Sequence, residues 1–267
     1  MTVFVVGARA QRPFALSPRA SRVALRVGAG VALLLLWEGL VTWLAASFVA
    51  RPSGIVKVAP SVLRDGAFWT DTEQTVVAVL EGLVIGVVLG TLVGLAMGRL
   101  RDAESALKFY VNAFFALPTI AVLPLMTLWF GYTGRARLAI IILGAFLPVV
   151  LNVYDGARRL PTMFVEVSKT YHARWWNVWF GIALPSALPY LLAGLRLAAG
   201  RALVGAVVAE YLLGNIGGLG YFIVFNSRSF HQNAAAVGAL MLALIGVLIN
   251  SSLDAAMRRF LPWYRRA

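Results

Sequence analysis

Residues 158–185 read RRLPTMFVEVSKTYHARWWNVWFGIALP, a polar interruption between long apolar runs. On either side of it, six apolar runs are long enough to cross a bilayer, at 27–49, 75–98, 109–132, 138–153, 187–213 and 234–253. A helical span takes about 20 such residues. Of the 267 residues, 60% are hydrophobic and only 13% charged, against about 45–50% and about 25% in a soluble domain. One soluble core does not hide that much apolar surface. The sequence therefore predicts an all-α, polytopic membrane protein with six transmembrane helices and the lipid bilayer as its partner. Residues 1–26 form a basic N-terminal tail, and residues 27–267 the transmembrane domain, from which the loop 158–185 projects. The first run is too long for a signal h-region of about 7–15 residues and contains Glu38, so it is read as a retained helix.

The net charge of +13 raises nucleic-acid binding, but the basic residues sit at the ends of apolar runs, which excludes it. With both termini placed in the cytoplasm, sixteen Lys and Arg lie inside and six outside, as the positive-inside rule requires. The loop 158–185 is then cytoplasmic. Segment 51–74 lies outside, and its Pro52, Gly54, Pro60 and Gly66 mark a loop with a short surface helix. Segment 214–233, glycine-rich, is also outside. With no cysteine, disulfides and thiolate metal sites are impossible.

Enzyme signatures are missing. Lys169-Thr170 has no glycine-rich loop before it, and the two histidines, His172 and His231, form no HExxH. The glycines at 214, 217, 218 and 220 follow a helix rather than a strand, so they are no dinucleotide fingerprint. No metal site is expected.

Within the runs, Gly82, Gly86, Gly90, Gly94 and Gly98 make one small-residue stripe along the second helix. Such a stripe allows close packing in lipid, either as a fixed contact or as a face that slides during a cycle. Pro118 and Pro124 interrupt the third run before Trp129. Freed carbonyls are tolerated where they line a cavity; a kinked lipid-facing helix with an interfacial tryptophan is the alternative. Ionisable groups inside spans are functional candidates: Glu38, Glu81, Arg196, Arg201 and Glu210. Arg196 and Glu210 are about 21 Å apart along one helix, so Arg196 is expected to pair with Glu81 of another span. Arg196 and Arg201 together suit an anionic solute, with structural ion pairs or snorkelling as the alternative. The expected pathway set is Glu81, Pro118, Pro124, Trp129, Arg196, Arg201 and Glu210.

In the loop, Glu166–Tyr171 forms a short helix with an acid in its first turn, favoured by the macrodipole. Trp175, Trp176, Trp179 and Phe180 serve as apolar anchors, and Ile182, Leu184 and Pro185 return the chain to the fifth span. An amphipathic helix lying in the headgroups is the other reading.

Glu166-Val167-Ser168, the turn at His172-Ala173 and Ile182-Ala183-Leu184-Pro185 resemble the cytoplasmic EAA loop of ABC-importer permeases, E-A-A, three residues, G, nine residues, I-x-L-P. Leu117-Pro118-Thr119, Ala121, Leu123-Pro124-Leu125 and Leu128-Trp129-Phe130-Gly131 are similar to a segment of the nitrate/sulfonate/taurine branch. So are Ala59-Pro60-Ser61-Val62-Leu63, Val208-Ala209-Glu210, Gly218-Leu219-Gly220-Tyr221 and the terminal Leu261-Pro262-Trp263, so that the likeness covers roughly 52–265. The resemblance implies the type I importer permease fold in a bacterial inner membrane, and import of a small solute such as a sulfonate, nitrate or taurine. It implies a docking set for ABC ATPase subunits of Glu166, Val167, Ser168, His172, Ala173, Ile182, Leu184 and Pro185. It further implies a periplasmic or lipid-anchored substrate-binding protein and a second permease copy. ATP and Mg would sit on the partner ATPase, with no cofactor and no catalytic residue in this chain. Which solute is carried is not written in the sequence.

The loop departs from the pattern at Val167, Ser168 and His172, the last standing where glycine makes a turn. A left-handed non-glycine residue costs about 1–2 kcal/mol, so the turn is either built differently or strained. From other classes, a stand-alone channel or ion-coupled secondary transporter would show inverted repeats or denser intramembrane charge. An intramembrane enzyme would need a catalytic pair that no span offers.

Overall fold

The computed structural model describes residues 18–44, 48–159, 162–214 and 216–260, which form helices and turns without a strand. The terminal Leu261-Pro262-Trp263 lies outside the described residues. The chain divides into two compact units, Met1–Lys57 and Val58–Ala267.

The first unit holds α1 (Pro18–Trp43) and the opening turns of α2 (Pro52–Arg64). Helix α1 starts at Pro18, inside the segment set apart as a tail, because proline suits a first helical position and the arginines continue the helix. Glu38 accepts the Ser53 backbone N–H at 3.0 Å and its hydroxyl at 2.7 Å. This carboxylate thus satisfies donors at the start of α2 that have no intrahelical partner.

The second unit begins with the rest of α2 and continues with α3 (Gly66–Arg99), capped by the Asp65 carboxylate on the Ala67 N–H at 2.9 Å. Then come α4 (Arg101–Ala116), α5 (Thr119–Phe130) and α6 (Gly134–Arg158). The polar interruption holds α7 (Thr162–Thr170) and α8 (Trp175–Val178), a π-turn over Trp179–Ala183, and the start of α9 (Leu184–Leu213). Helices α10 (Leu219–Arg228) and α11 (Gln232–Phe260) follow. Among the described residues, five helical stretches are long and apolar enough to cross a membrane, or six if α4 and α5 count as one broken span. The helices overrun the apolar runs because helix geometry continues into their charged ends.

The third run was expected as one kinked span over 109–132. Instead α4 and α5 meet at 105°. Leu117 is extended (φ −71°, ψ 132°), the conformation a following proline favours. Pro118, also extended, begins the new helix without an N–H to lose. Pro124, by contrast, stays inside α5 and breaks nothing.

Helix α6 is the centre of this unit. The glycine stripe of α3 lies on it in register: Gly82 on Ile141, Gly86 on Ala145, Gly90 on Val149, Gly94 on Val153 and Gly98 on Ala157. Both ladders advance by four residues in the same direction, so α3 and α6 are parallel. A Cβ on Gly86 would lie 2.7 Å from that of Ala145, and one on Gly94 2.7 Å from the Val150 carbonyl. On its other side α6 meets α9 antiparallel. Gly205 sits by Ile140, Gly144 by the Arg201 backbone and Gly194 by Asn152. Ala198, Ala199, Ala202 and Ala206 complete the buried seam. Lipid offers no hydrophobic drive for helices to associate, so dispersion across such close backbone contacts holds the trio together.

Gly90→Val is expected to destabilise the fold by about 1–3 kcal/mol through overpacking against Val149. Gly66→Ala, at a site with nothing within 4 Å, should stay within about 0.5 kcal/mol of the parent. Unfolding of the micelle-solubilised protein by titrated SDS measures both; equal effects would refute the close-packed stripe.

Candidate functional site

The polar interruption folds as two short helices joined by a tight turn. His172 has φ +47°, and the Ala173 N–H reaches back to the Ser168 carbonyl at 2.9 Å. That bond is the six-to-one closure of a Schellman cap, with His172 at the left-handed position. The glycine-type turn is therefore kept and histidine occupies it; His tolerates this region better than most residues. Glu166 sits mid-way along α7, which has no acid in its first turn, so the expected macrodipole benefit does not apply to it.

The expected docking residues divide by exposure. Glu166, Val167, His172 and Pro185 face out, Ser168 is buried, and Ala173, Ile182 and Leu184 are half-buried. Met163, Tyr171 and Phe180 add exposed apolar surface, Tyr171 at 81%. Trp179 and Leu184 pack on the α3–α6–α9 core, and the Arg174 guanidinium stacks 3.7 Å from the centre of the Trp176 ring. Phe180, expected as an anchor, is 64% exposed because the chain has already entered the π-turn there. In that turn the Leu184 N–H bonds the Trp179 carbonyl. The widened turn falls where Pro185 removes the next helix donor, and the Ser186 hydroxyl takes the Ile182 carbonyl at 2.6 Å.

A groove of about 420 Å³ opens between the α4–α5 break and α9, lined by Thr119, Arg196, Leu197, Gly200, Arg201 and Val204. It brings both arginines of the expected pathway together. Arg201 lies 4.2 Å over the ring of Phe115, a cation–π contact. Arg196 is not paired with Glu81; its guanidinium bonds Asp254 of α11. Asp254 escaped sequence reading because it falls one residue beyond the last apolar run. Glu81 on α3 and Pro118 are exposed, and neither lines the groove. Pro124 is exposed on α5, while Trp129 lines a separate apolar groove of about 380 Å³ with Leu89, Phe130 and Phe146. Thr119, Gly200 and Val204 were missed; the step of four from Arg196 through Gly200 to Val204 was the available signal.

Glu210, expected in the pathway, is fully buried. Its carboxylate accepts from Thr75 of α3 at 3.0 Å, Arg137 of α6 at 3.1 Å and the Gly220 N–H at 2.9 Å. Leu219 N–H bonds the Thr75 hydroxyl at 2.8 Å, and Gly218 N–H bonds Asp71 at 2.8 Å. Gly218, at φ +101°, touches the Glu210 carboxylate so closely that any Cβ would collide with it. Four helices thus meet on one carboxylate at the end of the bundle opposite α7. A buried charge left without its partner is strongly destabilising. Arg137→Ala is therefore expected to cost about 3–5 kcal/mol, whereas the exposed neighbour Arg135→Ala stays within about 0.5 kcal/mol. Thermal unfolding in detergent separates them, and a mild Arg137→Ala would remove the hub's structural role.

Residues 82–266 match the family described as binding-protein-dependent transport system inner membrane component. A putative aliphatic sulfonates transport permease protein of Escherichia coli is 31% identical over 236 residues, covering 87% of this chain and 89% of the relative. Its Bacillus subtilis counterpart is 30% identical over 234 residues, covering 86% and 84%. The taurine transport system permease protein of Escherichia coli is 26% identical over 254 residues, covering 92% of each. Among solved structures, the MetNI methionine ABC transporter in an inward-facing conformation aligns with a TM-score of 0.61 at 20% identity, over 72% of this chain and 95% of that one. An amino acid ABC transporter aligns at 0.57 and 15% identity, over 77% and 96%. These two likenesses establish the fold. The all-helical importer-permease architecture expected from the loop and the proline segment is thereby borne out, and the chain belongs to the family of inner membrane components of binding-protein-dependent transport systems.

Proposed function

We infer that two copies of this chain form the transmembrane pathway of an ATP-driven importer. The α7–α8 element of each copy docks on one ATPase subunit. The observation that carries this reading is the element itself. It is a short capped helix at the end of the α3–α6–α9 core, with Met163, Glu166, Val167 and Tyr171 turned outward. Exposed apolar side chains beside a charge mark an interaction surface, and the π-turn runs directly from it into α9. In this reading ATP and Mg bind on the ATPase, no cofactor binds here, and both termini and α7 are cytoplasmic. The substrate-binding protein, periplasmic or lipid-anchored, delivers its cargo at the opposite face, near α2 and α10.

The groove beside α9 is the pathway wall in each copy, and its cargo is a small anion of the aliphatic sulfonate or taurine kind. Two guanidinium groups and one carboxylate leave the groove cationic, and Thr119 adds a hydroxyl. Since Asp254 offsets Arg196, Arg201 does most of the anion binding.

Tyr171→Ala is expected to weaken ATPase docking by about 2 kcal/mol, as for an aromatic hot spot, which is about thirtyfold in Kd. Titration of the ATPase onto the permease in nanodiscs reads this; unchanged affinity would sink the docking assignment. Glu166→Ala should uncouple uptake while the permease stays inserted, and normal uptake would contradict its role. In proteoliposomes, Arg201→Ala should reduce uptake of an aliphatic sulfonate by about tenfold or more, the loss of one charged hydrogen bond. Arg196→Ala should reduce it less, and the reverse order would overturn the assignment.

A further inference from the structure

The last turn of α6, immediately before the docking element, is fastened on two sides. On one side lies α4. Tyr154 Oη donates to Glu104 Oε1 at 2.5 Å, and Arg158 Nη1 donates to that oxygen at 3.1 Å and to Tyr154 Oη at 2.7 Å. Lys108, one turn further along α4, also donates to Glu104, at 3.2 Å. On the other side lies α9. The Arg159 guanidinium is 5.6 Å over the Tyr190 ring, and Gly156 admits that ring so closely that a Cβ would stand 2.7 Å from it.

Helix α4 runs from this cluster to the groove. Its Val111 packs in a buried cluster with Met97, Leu147, Val150 and Tyr154. About 16 Å along from Glu104, at the helical rise, Phe115 lies under Arg201. The extended pair Leu117 and Pro118 follows, and Thr119 then lines the groove.

We propose that α4 is a transmission rod, and that Glu104, Tyr154 and Arg158 are the latch joining it to the docking element. Movement of α7 shifts Arg158, and α4 delivers that shift to Phe115 and Thr119, the groove wall facing α9. The proposal rests on the docking reading above. The latch has the physics of a reversible contact. Arg158 and Glu104 are solvent-accessible, at 59% and 26%, and exposed ion pairs are weak. Lys108 keeps Glu104 paired when Arg158 leaves, so opening strands no carboxylate. The Leu117–Pro118 break supplies the hinge, since rotation of a few extended residues absorbs such motion. These three are positioning residues; they touch neither solute nor ATPase.

The chain has no cysteine, so one introduced thiol reports one wall. Thr119→Cys reports the α5 wall and Val204→Cys the α9 wall. Each is labelled with a membrane-impermeant maleimide in the permease–ATPase complex, nucleotide-free and trapped with ATP and vanadate. At Thr119→Cys the two states should differ by about fivefold or more in labelling rate, the lower end of allosteric coupling. Tyr154→Phe and Glu104→Gln should abolish that difference while the complex assembles and hydrolyses ATP at its native basal rate. Arg158→Lys should keep it and Arg158→Ala lose it. At Val204→Cys the difference should survive Tyr154→Phe, because Tyr190 and Arg159 hold α9 independently. The proposal is overturned by a difference at Thr119→Cys that persists in Tyr154→Phe, by labelling there that ignores nucleotide, or by loss at both walls together. An ATPase that fails to bind the unmodified chain overturns the docking reading itself, and is recognised by the absence of a complex.

Discussion

Close contact between helix backbones in lipid is the constraint from which the rest of this fold follows. Water expulsion is not available to press α3 and α9 onto α6, so association depends on dispersion over short distances. That in turn requires glycine or alanine at every crossing. Gly82 through Gly98 meet this on the α3 side, and Gly194, Ala198, Ala202 and Gly205 on the α9 side. Because α6 is gripped from both sides between Ile140 and Ala157, that stretch is the fixed reference against which the other elements of this unit are placed. The parallel pairing of α3 with α6 also obliges the chain to return between them, and the α4–α5 pair is that return.

Against this rigid trio the functional elements share a different character. The α7–α8 element turns between its two helices at a left-handed histidine cap and enters α9 through a π-turn. The return passage breaks at Leu117–Pro118, and the groove forms there. In each place an irregular backbone is anchored to the trio by a few side chains: Trp179 and Leu184 for the loop, Phe115 and Arg201 for the groove. Glu210 does the reverse at the opposite end. It is an acid completely withdrawn from water, and it pins α3, α6, α9 and α10 with one carboxylate. Its neighbours Gly218 and Gly220 are glycine because the carboxylate leaves no room for a side chain. An ionisable residue inside a span is thus a structural keystone in one case and a groove lining in the other, according to whether its partners leave any face open.

Much of this is legible in the amino-acid sequence. Run lengths and the charge distribution marked a multi-span helical protein. The spacing from Glu166 through His172 to Ile182 located the loop, and the four-residue step of the glycines located the tight seam. Those features are local or periodic, and lipid enforces them strictly. Backbone donors must be satisfied within each helix, and small residues must recur at the helical repeat. The bend at Leu117–Pro118 was visible only as two prolines. Which of them would break the helix depended on where α5 began, and that was set by packing of Val122 and Leu123 against Ala136 and Ile140.

The order of amino acids alone therefore specifies the solvent, the number of apolar runs, the small-residue seam and the place of the loop. Each depends on composition or on residues a few positions apart. The partners of the charges, by contrast, follow from how the helices pack. Arg196 meets Asp254 rather than Glu81, Glu210 meets Thr75 and Arg137, and Glu104 meets Tyr154 and Arg158. A helix carries its side chains on a surface whose neighbours here lie 50 to 135 residues away in the chain. Nothing in local spacing says which facing helix will bring the counter-charge. That assignment follows from the rotation of each helix about α6, which the glycine and alanine contacts set.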